Sequence, residues 1–269
     1  MNAPLEIFVE GVGVWADALP GWDASRNVFF EKVVNAANAV SRPAPSLLAP
    51  TERRRAPESV LLAVEVAQQA CMMAQRDPRD LPSVFASAYG DLAINDYLCA
   101  TLAHAPQELS PTKFHNSVHN APAGYWSIAT GCMASSTALS AGTASFGAGL
   151  LEAAVLAHSE SMPVLFAACD IAAVGPLTDV IDCSAAFGIA LVLAPQSPRA
   201  IARLRLSLEP GAAPELALEA AVLHALYRAN PAARSLPLLS ALARREPCTL
   251  TLAAATQLNL CMEISPWPT

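Results

Sequence analysis

The pattern of apolar and small residues is clearest in residues 116–157, the longest nearly uncharged stretch of the chain. Apolar side chains at helical spacing predict a short helix over residues 123–133. Residues 135–142 are small and partly β-branched, which favours a strand that another backbone can approach closely. From residue 144 the apolar positions recur every three or four residues, as in a buried helix. The stretch therefore predicts a helix, a strand and a second helix in succession.

The rest of the chain alternates between the same two patterns. Apolar runs predict strands at residues 7–9, 81–88, 163–168, 188–193, 200–208, 249–254 and 258–264. Helical spacing predicts helices from Asp23 or Ser25 to residue 37, and over residues 57–75, 94–102, 215–228 and 236–244. We expect the first strand to end in a turn at Gly11-Val12-Gly13, because glycine permits close backbone approach. Alternating strands and helices predict an α/β fold layered as helix, sheet and helix, with a largely buried sheet.

The charge content favours a subunit of an assembly over an ordinary monomer. Only 14% of the residues are charged and 54% are hydrophobic, whereas about a quarter of a typical soluble chain is charged. We therefore expect a large surface to be buried against a partner. The net charge of −7, with only two lysines, argues against nucleic acid and anionic membranes as partners.

The remaining composition points to the cytoplasm. Residues 138–157 form an apolar stretch long enough to suggest a membrane span. They include Glu152 and several hydroxyl residues, so a buried helix is expected instead. No signal-peptide pattern is visible at the N-terminus. Seven scattered cysteines without a C-x-x-C pair indicate a reducing compartment and no zinc site.

The turn from the small-residue strand into the buried helix is a candidate catalytic position, because a helix N-terminus favours negative charge. One nucleophilic side chain near this turn is Cys132, which precedes the strand. Cys132 with His119 would form the dyad of a hydrolase or acyltransferase. His115 and His119 are spaced like metal ligands on a helix, but neighbouring prolines argue against a helix and no third ligand is evident.

Short motifs in this stretch resemble the β-ketoacyl synthase branch of the thiolase fold. Synthases carry V-P-N-x-x-A-G, and this chain reads V-H-N-A-P-A-G over residues 118–124. The longer run F-H-N-S-V-H-N-A-P-A-G-Y-W, residues 114–126, resembles small synthase-like chain length factors encoded in aryl polyene pigment clusters. The resemblance covers most of residues 6–195. It implies one thiolase-like domain over residues 1–269, with a complete N-terminal lobe over about 6–195 and a shortened C-terminal lobe over about 196–269.

The same resemblance implies that the chain lacks catalytic residues of its own. Counting from Asn120 at the family's spacing places the nucleophile position at Thr143, whose hydroxyl is a weak nucleophile without a base. The family's later histidines and lysine have no counterparts, since only His224 and no lysine follows residue 195. Cys132 is followed by the strand and not by the helix, so we interpret it as a small buried residue.

The implied function is that of a non-catalytic chain length factor. Such a subunit forms a heterodimer with an active β-ketoacyl synthase and shapes its acyl pocket in aryl polyene or fatty-acid-like biosynthesis. The complex would work with an acyl carrier protein, and the chain itself would need no cofactor or metal. The alternative function is a stand-alone thioester hydrolase or acyltransferase that uses Cys132 with a histidine.

The resemblance also implies where the contacts lie. The strand before the nucleophile position would pair with the partner, so the expected interface residues are Ser135, Ser136, Thr137, Ala138, Leu139 and Ser140. The residues expected to line the acyl pocket are His119, Asn120, Ala121, Pro122, Tyr125, Trp126 and Phe146. The two aromatic rings of the Tyr-Trp pair are rigid and flat, which suits stacking against a conjugated chain.

Overall fold

The computed structural model describes residues 4–30, 42–214, 216 and 218–268. Within these ranges a single sheet contains β1 (Leu5–Trp15), β2 (Ser83–Ala86), β3 (Ser136–Leu139), β4 (Val164–Asp170), β5 (Phe187–Ala194), β6 (Ala202–Pro210), β7 (Cys248–Ala255) and β8 (Leu258–Pro266). The strands are ordered β3-β2-β4-β5-β1-β6-β8-β7. The two edges of the sheet are therefore β3 and β7.

The helices of the described residues are α1 (Trp22–Ser25), α2 (Pro50–Arg55), α3 (Glu58–Ala74), α4 (Leu92–His104), α5 (Pro111–His115), α6 (Ala121–Thr130), α7 (Ser145–Ser159), α8 (Ala221–Ala229) and α9 (Leu236–Arg244). Short 3₁₀ turns, such as those at residues 26–29 and 232–235, connect several of them. Each of these helices is too short or too polar to traverse a lipid bilayer.

Strand direction divides the sheet into two parts. β3, β2 and β4 run parallel to one another, whereas every other neighbouring pair is antiparallel. Ala86 of β2 pairs with Ala168 of β4, so the residues that follow β2 lie beside Asp170, where β4 ends. β6, β8 and β7 extend the same sheet beyond β1, and the division of the chain into two lobes at about residue 195 stays a prediction.

Helices cover both faces of the sheet, because side chains of its central strands alternate between two cores. Leu165 and Ala167 of β4 lie in one core with α3 and α6. Val164 and Phe166 lie in the other core with α7, α8 and α9. The predicted layering of helix, sheet and helix is confirmed.

The expected turn at Gly11-Val12-Gly13 is wrong, because β1 continues through these residues to Trp15. The glycines serve the packing of α3 across the strand. A Cβ atom at Gly11 would lie 2.2 Å from the carbonyl oxygen of Ala70, and one at Gly13 would lie 2.0 Å from that of Val66. Close backbone approach was therefore anticipated correctly, but it occurs within a strand.

Most other predicted elements are present, with shifted ends. The helix predicted over residues 236–244 coincides with α9, and the one over 57–75 is α3, Glu58–Ala74. The helix predicted from residue 215 begins only at Ala221. The helix predicted from Asp23 or Ser25 begins as α1 and continues as the 3₁₀ turn at 26–29, and its remainder over residues 31–37 lies outside the described residues.

Candidate functional site: an open sheet edge and the turn that follows it

β3 is an open edge of the sheet. It pairs with β2 on one side, in the register Ser83–Ser136 to Ala86–Leu139, and the described residues provide no strand on its other side. The Ser83 hydroxyl donates a hydrogen bond to the Ser136 hydroxyl at 2.9 Å. Ser135, Ser136 and Ser140 are exposed, and the three residues between them, Thr137, Ala138 and Leu139, are half-buried. An edge of small side chains leaves backbone donors and acceptors free to pair with another strand.

Large apolar side chains are exposed in the stretch of chain that leads to this edge. Met133, three residues before β3, is 94% exposed, and Ile128 of α6 is 86% exposed. Phe114 and Val118 are also more than half exposed on the segment that leads into α6. Exposed apolar side chains grouped in one stretch of sequence are typical of an interaction surface. The sequence pattern placed Ile128 and Met133 on a helix and gave no sign that they face outward.

The segment expected to line the acyl pocket divides between surface and core. His119, Asn120, Ala121 and Pro122 form the entry to α6, where His119 and Asn120 are exposed. His119 Nε2 donates a hydrogen bond to the Ser87 carbonyl oxygen at 3.2 Å. Part of this entry lies along a groove of about 570 Å³, which it forms with the loop at residues 47–49.

The two aromatic residues of this segment point in different directions. Tyr125 is half-buried on the groove, and its hydroxyl donates to Asn116 Oδ1 at 3.3 Å. Trp126 is fully buried and stacks at a tilt against Phe85, with ring centroids 6.5 Å apart. The expectation that Trp126 lines a pocket shared with a partner is therefore wrong, because its ring packs in the core of this chain.

Thr143 occupies the turn between β3 and α7 and is exposed. The turn is held by Ser145, whose hydroxyl donates to the Gly142 carbonyl and accepts from the Ala141 amide. Thr143 lies at the mouth of a cavity of about 270 Å³, and Phe146, buried in the core, forms part of its wall. The described walls of this cavity include no histidine, lysine or carboxylate. The Thr143 hydroxyl thus has no base beside it among the described residues.

Cys132 and His119 are not brought together. Cys132 is buried, and its thiol donates to the Leu81 carbonyl oxygen at 3.5 Å. His119 contacts Ser87, at the opposite end of β2. Six residues of extended chain separate those two carbonyls by roughly 20 Å. The described residues also include no cluster of three histidine, cysteine or acidic side chains that could hold a metal.

One buried carboxylate near this surface was not singled out from the sequence. Asp170 accepts hydrogen bonds from the Ser87 hydroxyl at 2.7 Å and from the Ala88 and Tyr89 amides at 2.9 and 3.2 Å. Burial raises the pKa of this carboxyl to about 6, although these three hydrogen bonds act in the opposite direction. The sequence signal that could have identified Asp170 is its position as an acidic residue at the end of an otherwise apolar strand.

The loop ordered by Asp170 reaches the candidate surface. The carbonyl of Ser87 accepts from His119, and the carbonyl of Ala88 accepts from the Ser140 hydroxyl at 3.1 Å. Ser140 is the residue that follows β3. The buried carboxylate therefore positions a loop that holds both the end of the edge strand and the entry to α6.

Known proteins resemble the chain in sequence pattern and in fold. Residues 30–257 match the family described as "Beta-ketoacyl synthase, N-terminal domain", while no curated protein matches the chain. The fold is similar to that of a chain in the complex of a ketosynthase with its chain length factor from Xenorhabdus doucetiae. That similarity has a TM-score of 0.72 and 24% identity, over 96% of this chain and 99% of the other.

Two further solved structures are similar. One is a type II polyketide synthase acyl carrier protein in complex with its ketosynthase, with a TM-score of 0.76 and 12% identity over 98% of this chain and 100% of the other. The second is the ishigamide ketosynthase/chain length factor, with a TM-score of 0.68 and 13% identity over 99% and 100%. The predicted thiolase-like fold is confirmed, and because the family match spans most of its length, the chain belongs to the β-ketoacyl synthase N-terminal domain family.

Proposed function

We propose that this chain is a chain length factor, a non-catalytic subunit that pairs with an active β-ketoacyl synthase and shapes its acyl pocket. The observation that carries the proposal is the open edge strand β3, which follows a stretch of chain that exposes the large apolar side chains of Ile128 and Met133. In a monomer that combination would favour aggregation, because an open edge strand can pair with the edge strand of another molecule. In a heterodimer it becomes buried and also accounts for the low charge content.

The absence of chemistry in this subunit is supported by the turn after β3. Thr143 stands at the family's nucleophile position, and the described walls of its cavity offer no base to activate the hydroxyl. The thiol of Cys132 is buried against a backbone carbonyl and lies at the far end of β2 from His119. Among the residues that the structure describes, no contact favours the alternative of a hydrolase or acyltransferase.

The role in setting chain length is supported by the groove along α6. Asn120, Ala121 and Tyr125 lie on this groove, next to the exposed Ile128. A flat tyrosine ring and small neighbouring residues suit contact with an extended, conjugated acyl chain. By resemblance, the products are aryl polyenes or fatty-acid-like chains, built on an acyl carrier protein by the partner synthase.

The solved relatives support the same assembly. Two of them are described as complexes or pairs of a ketosynthase with a chain length factor, and one as an acyl carrier protein in complex with its ketosynthase. Those descriptions apply to the relatives, whose identity to this chain is below 25%. They make a synthase and a carrier protein the first partners to test.

The proposal is tested by co-expressing the chain with candidate ketosynthases and measuring co-elution. Thr137→Arg would place an unpaired charge in the strand pairing, which weakens a buried interface by several kcal/mol. Thr249→Arg is the matched control, because Thr249 is an exposed residue of β7 at the opposite edge of the sheet. We expect Thr137→Arg to abolish co-elution and Thr249→Arg to preserve it. Equal co-elution of both variants would place the interface elsewhere.

A further inference from the structure

The cavity beside Thr143 lies apart from the open edge of β3 and from the groove along α6. It forms where the beginning of α7 meets α8, the 3₁₀ turn at 232–235, the loop at 213–214 and β7. The described residues on its walls are Thr143, Phe146, Gly147, Ala213, Pro214, Tyr227, Arg234, Thr251, Leu252 and Ala253. Of these, Arg234 alone is charged.

Arg234 is held in place by an aromatic ring, and no acid among the described residues pairs with it. Its guanidinium carbon lies 4.2 Å from the centroid of the Tyr227 ring, and Tyr227 is itself buried. This stacking fixes the plane of the guanidinium through a cation–π interaction. Among the described residues, no carboxylate lies within ion-pair distance of Arg234. Its N–H donors therefore remain available to an anion.

The first turn of α7 adds to the positive character of the same cavity. Phe146 and Gly147 are the second and third residues of this 15-residue helix, and no side chain caps its N-terminus. The first amide N–H groups of a helix have no partner within the helix and carry a partial positive charge. The exposed hydroxyl of Thr143 stands beside them. The guanidinium and the Thr143 hydroxyl thus both offer hydrogen-bond donors to one space, next to the positive end of α7.

The remaining walls define the body of the ligand. Phe146, Tyr227 and Leu252 are apolar, and two of them are flat rings. A volume of about 270 Å³ lies just below the range of about 300–1,000 Å³ that is typical of sites for drug-sized ligands. The space suits a small, flat molecule such as benzoate.

We propose that this cavity is a binding site for a small carboxylate with a flat apolar body, and that Arg234 pairs with the carboxylate. The ligand binds non-covalently, and its binding requires no activated nucleophile in the cavity. The site does not involve β3, so ligand binding there does not depend on the proposed pairing with a synthase.

A chemical probe can locate the site in the full chain, in whichever assembly it is purified. Thr143→Cys would place a thiol at the mouth of the cavity, and peptide mass spectrometry would follow its alkylation by iodoacetate, an anion, and by iodoacetamide, its neutral analogue. The exposed Cys99 in the same molecule serves as the internal reference. We expect the ratio of iodoacetate to iodoacetamide rates to be at least tenfold higher at position 143 than at Cys99. Benzoate should slow the reaction there, and neutral benzamide should not.

A second substitution assigns the effect to Arg234. Arg234→Gln in the same background should return the ratio at position 143 to that of Cys99. Arg205→Gln is the matched control, because it removes the same charge from β6, where Arg205 forms an exposed ion pair with Glu263 of β8. A ratio equal to that of Cys99 before any arginine is changed would overturn the proposal, as would equal protection by benzoate and benzamide.

Binding to the chain with Thr143 intact provides an independent measurement. Titration of 4-fluorobenzoate by fluorine NMR should give an affinity that falls at least tenfold in Arg234→Gln and is unchanged in Arg205→Gln. Equal affinities in these two variants would also overturn the proposal. Neither experiment depends on co-elution with a synthase, so their failure and the failure of the proposed function are distinguishable.

Discussion

Replacing Asp170 tests whether its carboxylate supports the loop at residues 87–90. Asp170→Asn keeps an oxygen that can accept from Ser87, Ala88 and Tyr89, whereas Asp170→Ala removes it and leaves two backbone amides without their acceptor. Each buried donor left unpaired costs about 1–3 kcal/mol. We therefore expect the alanine variant to be less stable than the asparagine variant by about 2–6 kcal/mol, at every pH where both fold.

The charge of Asp170 predicts a separate pH dependence. Burial raises the pKa of this carboxyl from 3.8 to about 6 in the folded chain. Between those two values the folded state binds more protons than the unfolded state, so the stability of the wild type falls as pH rises, and it levels off above pH 6. The pKa difference corresponds to about 3 kcal/mol in total. Asp170→Asn cannot ionise, so its stability relative to the wild type should increase by about 2 kcal/mol from pH 4 to pH 7, because part of the total change is already complete at pH 4.

Urea unfolding followed by tryptophan fluorescence gives the required free energies of unfolding at each pH. The variants and the wild type should be compared in the same assembly, so that the pH dependence of any partner cancels. The neighbouring Cys183 does not contribute in this range, because burial raises the pKa of its thiol to about 12. A wild-type-to-asparagine difference that is constant with pH, or equal stability of the two variants, would refute this account of Asp170.

Three further predictions concern reactivity, product length and packing. Cys132→Ala should leave product formation by the complex unchanged, because the thiol is buried against a carbonyl. For the same reason, mass spectrometry should show that iodoacetamide does not modify the native thiol. Loss of activity in an intact complex would instead indicate that Cys132 is catalytic. Ala121→Phe should shorten the acyl chains on the carrier protein, and Tyr125→Ala should lengthen them or broaden their length distribution, as measured by mass spectrometry. Unchanged lengths would contradict a role of this subunit in setting chain length. Gly13→Ala should lower the free energy of unfolding by about 3 kcal/mol or more, since its Cβ atom would overlap the Val66 carbonyl. The loss is measured by urea unfolding, and a wild-type midpoint would contradict the close packing of α3.

The elements that local rules determine were predictable from the sequence. Residues 236–244 carry a strong apolar stripe, a proline in the first turn and a basic residue at the end, and α9 has those bounds. Residues 135–142 show small and β-branched side chains, and β3 lies within them. Its place at the edge of the sheet follows from strand order, which these residues do not encode locally. The expectation that this strand pairs with a partner came from the family resemblance.

The features that depend on a distant neighbour were not predictable. Gly11 and Gly13 fit a turn by local rules, but α3 crosses β1 there, and that contact involves residues more than fifty positions away. Trp126 and Ile128 are both apolar residues of one helix, yet one is fully buried and the other is 86% exposed. Their composition cannot distinguish the two faces of α6. Asp170 is significant only because β2 ends beside it.

The short length of β3 has a consequence for partner choice. Four residues of strand extend over about 13 Å and offer only a few backbone hydrogen bonds. Those backbone groups are chemically the same for every strand that could dock there, including β3 of a second copy. Discrimination between a true partner and a copy of the chain itself must then come from exposed side chains outside the strand, such as Met133 just before it. Evolution of a new partnership would thus require changes at a few surface positions and none in the strand.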